Sequence, residues 1–275
     1  MRKLYSLFLS ILILFILVVQ IYPIFWIFTS SMKNQTEFQT ESPFSLPNRL
    51  SLHNYINAFE KTDLARYFLN SFVITLAAII CIVIFSSMAA FALEKMRFKI
   101  SKVLMGFFIA GIMIPIQVTL IPLFIIYQKM GMLNSYLSLI LPQVGFALPM
   151  SIYLFTAFYK YIPSEIIESA VMDGSSLFRI FRSIIIPMSK NTIITVLTMN
   201  AIFIWNEFVL ANTFISRSIM KTIPISLYDF QGDFGMTDWG ATFAAISITT
   251  LPVLILYFVL NKSVVSGMAA GAIKE

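Results

Sequence analysis

The chain has 275 residues, 59% of them hydrophobic and 12% charged, with a mean hydropathy of +0.86, which is too apolar for a soluble domain of ordinary composition. Its formal charge of +6 does not point to nucleic acid, because the basic residues are scattered through short loops instead of forming one patch. One cysteine, Cys81 within an apolar run, and one histidine, His53, leave no disulfide framework and exclude most metal centres and nucleophilic triads.

What remains is a polytopic, all-α membrane protein. A helix needs roughly 20 apolar residues to cross a bilayer core of about 30 Å, and six stretches qualify: residues 4–28, 68–93, 103–127, 136–158, 192–211 and 241–260. Arg2 and Lys3 precede the first. It runs on through Pro23 to Phe28, too long for a signal-peptide core, and no small-x-small cleavage site follows, so it reads as an uncleaved span. Residues 30–67 have mixed charge and no strong period, which predicts loop with one short interfacial helix near residues 54–59 and His53 as a surface or packed loop residue. Glu94 and Lys95, after the second span, read as a solvated turn.

The third span carries Pro115 and Pro122 with Gln117 and Thr119 between them. Prolines kink a membrane helix and free carbonyls that neighbours or cavity water must satisfy. Gln117 and Thr119 are therefore candidates for lining a pore, and a simple packing kink fits the same residues.

Between the fourth and fifth spans lies I-P-S-E-I-I-E-S-A-V-M-D-G-S-S-L-F-R-I-F-R-S-I-I-I-P-M-S-K, residues 162–190. Pro163 and Ser164 look like a helix start, with Ser164 able to cap and Glu165 and Glu168 placed where the helix dipole favours negative charge. Ile166, Ile167, Ala170 and Val171 share one face. Asp173-Gly174 predicts a helix end with glycine in the left-handed conformation. Ser176 can cap a second helix whose apolar stripe is Leu177, Phe178, Phe181, Ile184 and Ile185, opposite Arg179, Arg182 and Ser183. Pro187 ends or kinks that piece. Two short amphipathic helices joined by a fixed elbow are expected.

In the fifth span Trp205-Asn206-Glu207-Phe208 puts an amide and a carboxylate in an apolar helix. A cavity-facing and an interfacial placement both fit. The loop at residues 216–240 holds Asp229, Gly232, Asp233, Gly235 and Asp238, but it lacks the spacing and terminal glutamate of a calcium loop, so no metal site is expected.

Six spans put both termini on one side. Arg2, Lys3, Lys95, Arg97, Lys99, Lys102, Lys160, Arg179, Arg182, Lys190, Lys262 and Lys274 fall on that side. The opposite loops mix their bases with a comparable number of acids. The positive-inside rule then makes the termini and the elbow cytoplasmic.

The spacing Glu168-x-Ala170-x-x-x-Gly174, nine residues, then Ile184-x-x-Pro187 resembles the EAA loop of permease subunits of binding-protein-dependent ABC importers, with Ser169 and Ile186 as departures similar in size to the usual residues. Residues 113–124 and 131–142, Trp205-Asn206-Glu207, and the tail V-S-G-M-A-A-G-A-I-K at 265–274 look like the carbohydrate-importing, maltose-type members. The resemblance implies a type I importer fold: a first helix and external loop (residues 1–67), a five-helix core (68–262) and a cytoplasmic tail (263–275) that contacts the ATPases. It further implies a second permease subunit, two ATP-binding subunits carrying ATP and magnesium, an extracellular or periplasmic solute-binding protein, a sugar or oligosaccharide substrate, and a bacterial inner-membrane location. By the same resemblance Glu168, Ala170, Asp173, Gly174, Ile184 and Pro187 couple to the ATPase. Gln117, Thr119, Asn206 and Glu207 become pore candidates, and Asp229, Gly232, Asp233 and Gly235 binding-protein contacts. Consistently, the chain has no G-x-x-x-x-G-K-[ST] loop with which to cradle ATP. A permease for another solute class, an ion-coupled secondary carrier and a non-transporting scaffold are the rival readings; Glu207, nearly alone among the spans, argues against the carrier.

Overall fold

The computed structural model describes residues 2–96, 98–230 and 237–272. Its order is α1 (Arg2–Ser30), α2 (Gln35–Thr40), α3 (His53–Lys61), α4 (Leu64–Lys95), α5 (Ser101–Ile112), α6 (Ile116–Lys129), α7 (Tyr136–Tyr159), α8 (Ser164–Met172), α9 (Leu177–Ile180), a π-turn (Phe181–Ile185), α10 (Ile186–Met188), α11 (Lys190–Trp205), α12 (Val209–Phe214), α13 (Ile223–Ser226) and α14 (Trp239–Ala272). The all-α expectation holds. Among the described residues four helices are long and apolar enough to cross a membrane, and two bent pairs bring the total to six when each pair counts as one span.

Two of the six expected spans are broken rather than continuous. Residues 103–127 form α5 and α6, which meet at 95°. Pro115 has no N–H and sits in extended backbone (φ −68, ψ 133) as the cap of α6. A proline also drives the preceding residue out of helical conformation, so the chain turns instead of merely kinking. Pro122, about two turns further along, is accommodated inside α6. The fifth span is shorter than the apolar run suggests: α11 stops at Trp205 and joins Leu177–Met188 at 76°.

The chain forms two compact units. The first comprises residues 1–68 and 223–252. Here α3 is the short helix expected near residues 54–59. Ala58, Leu64, Phe230, Ala241, Ala244 and Ala245 make a small core, and the small alanines let backbones approach closely. The end of α1 is pinned from the side: Asn54 Nδ2 donates to the carbonyls of Ser31 (2.8 Å) and Lys33 (2.7 Å). Lys33 itself is buried, donating to Pro43 O and Ser45 Oγ, both at 3.2 Å. Trp26 and Phe38 pack on Phe243. Asp238 caps α14 by accepting from Ala241 N at 3.0 Å and pairs with Lys61. Burial pushes the Asp238 carboxyl up, but the Lys61 and Ala241 hydrogen bonds and the positive charge nearby outweigh it and hold the group below its ordinary range. Along α1 the side chains from Tyr5 to Val19 are exposed, a surface that only lipid or another chain can cover.

The second unit comprises residues 69–222 and 253–275. In it α5 packs closely on α7, where a Cβ at Gly111 would stand 3.2 Å from Pro149. Asn200 of α11 donates to Ser151 of α7 at 3.2 Å, and Tyr127 and Phe214 join α6 to α12 edge to face. Two asparagines hold the strand of chain leaving α12. Asn134, left-handed at φ 56, accepts at Oδ1 from Ser216 N, Ser216 Oγ and Arg217 N. Asn70 donates to the carbonyls of Ile219 and Lys221 and accepts from Tyr136 OH.

Candidate coupling elbow

The elbow predicted at residues 162–190 is present. Its first limb, α8, is capped at Pro163 rather than at Ser164, which is instead the first helical residue. Glu165 stands in the first turn, where the helix dipole favours its charge. The limb ends in a Schellman arrangement: Ser175 N donates to Ala170 O at 3.0 Å, Gly174 N donates to Val171 O at 2.9 Å, and Gly174 is left-handed at φ 78. A Cβ at Gly174 would meet no heavy atom within 4 Å, so glycine is there for its backbone and not for want of room.

The second limb starts where expected, with Ser176 Oγ accepting from Arg179 N at 3.3 Å. It is α-helical only through Ile180 and then widens to the π-turn before Pro187. Proline would clash with the carbonyl four residues earlier, Ser183, and cannot donate to it; a π-turn upstream absorbs both problems. Ser189, fully buried, marks the corner into α11 and donates its hydroxyl to Ile185 O.

The predicted apolar stripe is corrected at one end. Ile185 is fully buried, Phe181 and Ile184 are half-buried, and Ile180, outside the predicted stripe, is also fully buried. Leu177 and Phe178 instead point to solvent, at 45% and 64% exposure, beside Val171 at 49% and Met172 at 86%. The tip therefore presents four apolar side chains among exposed Glu168, Asp173 and Arg179, the mixture expected of a docking surface. Ala170 is buried on the inner side, where its small size serves the packing of α8 on α9.

Lys95 also departs from its reading as a solvated turn: it belongs to α4 and its Nζ donates to Ile162 O at 2.7 Å. Nothing in the local sequence marks this contact, which spans 67 positions.

Of the pore candidates, Gln117 is exposed on α6 and Thr119 donates back to Ile116 O at 2.7 Å. Asn206 donates to Ile202 O at 2.8 Å. The two carboxylate oxygens of Glu207 accept from Leu210 N (2.7 Å) and Ala211 N (3.1 Å), satisfying first-turn donors of α12 from the position before its cap residue Phe208, after the break at Asn206. A side chain that satisfies first-turn donors stabilises a helix by about 0.5–2 kcal/mol. Glu207→Ala should accordingly lower the thermal stability of the purified protein by that order, with Glu207→Gln in between; equal melting of all three would show the cap to be idle. Asp229 is half-buried and accepts from Tyr67 OH at 3.2 Å. Gly232, Asp233 and Gly235 lie outside the described residues.

Residues 82–269, a stretch that contains the whole elbow and both broken spans, match the family of binding-protein-dependent transport system inner membrane components. The chain belongs to this family. The permease is 35% identical over 99% of its length, and 97% of the relative's, to a putative ABC transporter permease protein, ORF2, of Caldicellulosiruptor. It is 31% identical to the diacetylchitobiose uptake system permease protein NgcG of Streptomyces coelicolor, covering 94% of this chain and 85% of that one. To the trehalose/maltose transport system permease protein MalG of Thermococcus litoralis it is 30% identical over 94% of this chain and 92% of the other. Its fold is shared with a chain in the crystal structure of a bacterial ABC transporter involved in the import of alginate, with a TM-score of 0.83, 21% identity, and coverage of 94% and 96%. The permease is thus a multi-pass membrane protein of the ABC importer permease fold, as its sequence motifs imply.

Proposed function

We propose that this permease carries a sugar or oligosaccharide across the cytoplasmic membrane of a bacterium, in a complex with a second permease subunit and two separate ATPase subunits that bind ATP and magnesium. The single observation that carries the reading is the elbow: a rigid, left-handed turn at Gly174 holding an apolar tip to solvent in a chain of this family. Relatives named for diacetylchitobiose and for trehalose and maltose support the substrate class. The excess of basic residues on the elbow side supports a cytoplasmic elbow and cytoplasmic termini. An external solute-binding protein delivers the solute, and residues 229–235 offer it a contact.

Transport then follows from geometry. ATP-driven closure of the ATPase pair moves the elbow tip, where Glu168, Asp173 and the apolar residues around Gly174 engage. The elbow is continuous with α7 through the turn at residues 160–163 and with α11 through the 76° corner at Ser189. Movement of the tip therefore biases the spans between inward and outward arrangements. Gln117, Thr119, Asn206 and Glu207 remain the polar positions proposed near the path.

Proteoliposomes holding the complex, the binding protein and ATP should accumulate labelled oligosaccharide but neither phosphate nor oligopeptide. Uptake of one of the latter instead would overturn the substrate class, and purification of the permease without a stoichiometric ATPase would overturn the importer itself.

A further inference from the structure

The elbow is joined by the chain to α7 and α11, yet its side chains also grip a helix to which it has no covalent connection. Lys95 of α4 donates to the carbonyl of Ile162 at 2.7 Å, at the entry to the first limb. Ile162 is itself buried, and its carbonyl precedes the cap residue Pro163, so α8 provides it with no intrahelical bond. Four residues back on the same face of α4, Phe91 is buried with its ring 5.5 Å from that of Phe181, the first residue of the π-turn in the second limb. One face of α4 therefore holds the first limb at its root and the second limb midway along it, while the tip between them, Val171 to Asp173, stays exposed.

We infer that α4 is moved by the elbow as a third lever, and that Lys95 and Phe91 are the positioning residues that make elbow and helix travel together. A force at the tip of a lever reaches only what its roots are fixed to. Two roots are covalent and turn corners; the third is a charge-assisted hydrogen bond and a ring contact onto a single helix of 32 residues. The lysine is suited to this because its head, on a long stem, reaches a backbone acceptor that stays present whatever side chain stands at 162. The inference rests on the importer reading above.

The experiment uses the complete complex of permease, partner permease, ATPases and binding protein in proteoliposomes, measuring solute taken up per ATP hydrolysed. Lys95→Met keeps the stem and removes the donor; it is expected to lower solute per ATP by about tenfold with the ATPases still co-purifying, and Lys95→Arg to restore most of the ratio. In a Cys81→Ser background, Phe91→Cys with Phe181→Cys, joined by a short thiol cross-linker, is expected to transport as well after cross-linking as before, because the joined parts do not move apart. A wild-type ratio in Lys95→Met, or transport stopped by the cross-link, would overturn the inference. Failure of the unmodified complex to couple ATP to uptake would instead overturn the importer reading, so the two failures are distinguishable.

Discussion

Gly174→Val should lower uptake and binding-protein-stimulated ATP hydrolysis by about tenfold or more while leaving expression and membrane insertion at the level of the unmodified permease. Gly174 is held at φ 78, where a residue with a Cβ suffers a penalty of about 1–2 kcal/mol, and a β-branched one is a true outlier. Because the space around a Cβ there is open, no clash contributes and the whole effect is conformational. The strain is relieved by breaking the two bonds that close α8, from Gly174 to Val171 and from Ser175 to Ala170, which re-aims the second limb and scatters Met172, Asp173 and Phe178. The spans do not pass through this turn, so the protein should still insert and still bind solute-binding protein. A series separates conformation from bulk. Asparagine is larger than alanine but tolerates the left-handed region better, so the order of increasing severity should be Asn, then Ala, then Val, with uptake in the last about tenfold or more below normal. Stimulated ATPase in Gly174→Val equal to the unmodified complex would remove the turn from the coupling path.

That turn was legible in the sequence because each of its parts is local: Asp-Gly for the end of one helix, Ser176 three residues before the amide it caps, Pro187 for the stop. Hydropathy likewise registered all six spans, since the length of an apolar run is counted along the chain. The same counting is blind to direction. Pro115 announces a disruption but does not distinguish a kink from a 95° turn, which depends on what α7 offers α5 to pack against. The exposure of Leu177 and Phe178 was hidden for a related reason: helical spacing assigns them to the stripe of Phe181 and Ile185, and only the widening into the π-turn swings that stripe off their line. For Glu207 a signal did exist. A carboxylate three residues before a backbone N–H, just after a break, has the spacing of a helix cap. It was masked by the expectation that residues 192–211 form one uninterrupted helix. Lys95 had no signal at all, since its partner is a backbone carbonyl whose identity the sequence does not encode.

The largest stability loss should come from the other unit, at Gly240. A Cβ built on Gly240 would lie 2.5 Å from Asn54 Oδ1 and within 2.8 Å of the rest of that amide, closer than real Cβ atoms come to anything. Asn54 could swing aside only by surrendering its hydrogen bonds to the carbonyls of Ser31 and Lys33. Those carbonyls belong to buried residues at the end of α1, where an acceptor left without a partner costs about 1–3 kcal/mol. Gly240→Ala should therefore destabilise the first unit by about 2–4 kcal/mol, and Gly240→Val by more, read as a lower melting temperature of the detergent-purified protein and earlier proteolysis after residue 34. The mechanism makes a sharper demand than the loss itself. Asn54→Ala already forfeits both bonds and also clears the space, so adding Gly240→Ala to it should cost almost nothing further, a strong coupling of neighbouring sites. Additive losses in the double variant would mean that Gly240 is required for some reason other than the amide of Asn54. The elbow is far along the chain from this contact, so solute per ATP in whatever folded Gly240→Ala protein survives should be unchanged, the opposite of the pattern at Gly174, where stability should hold and coupling fail.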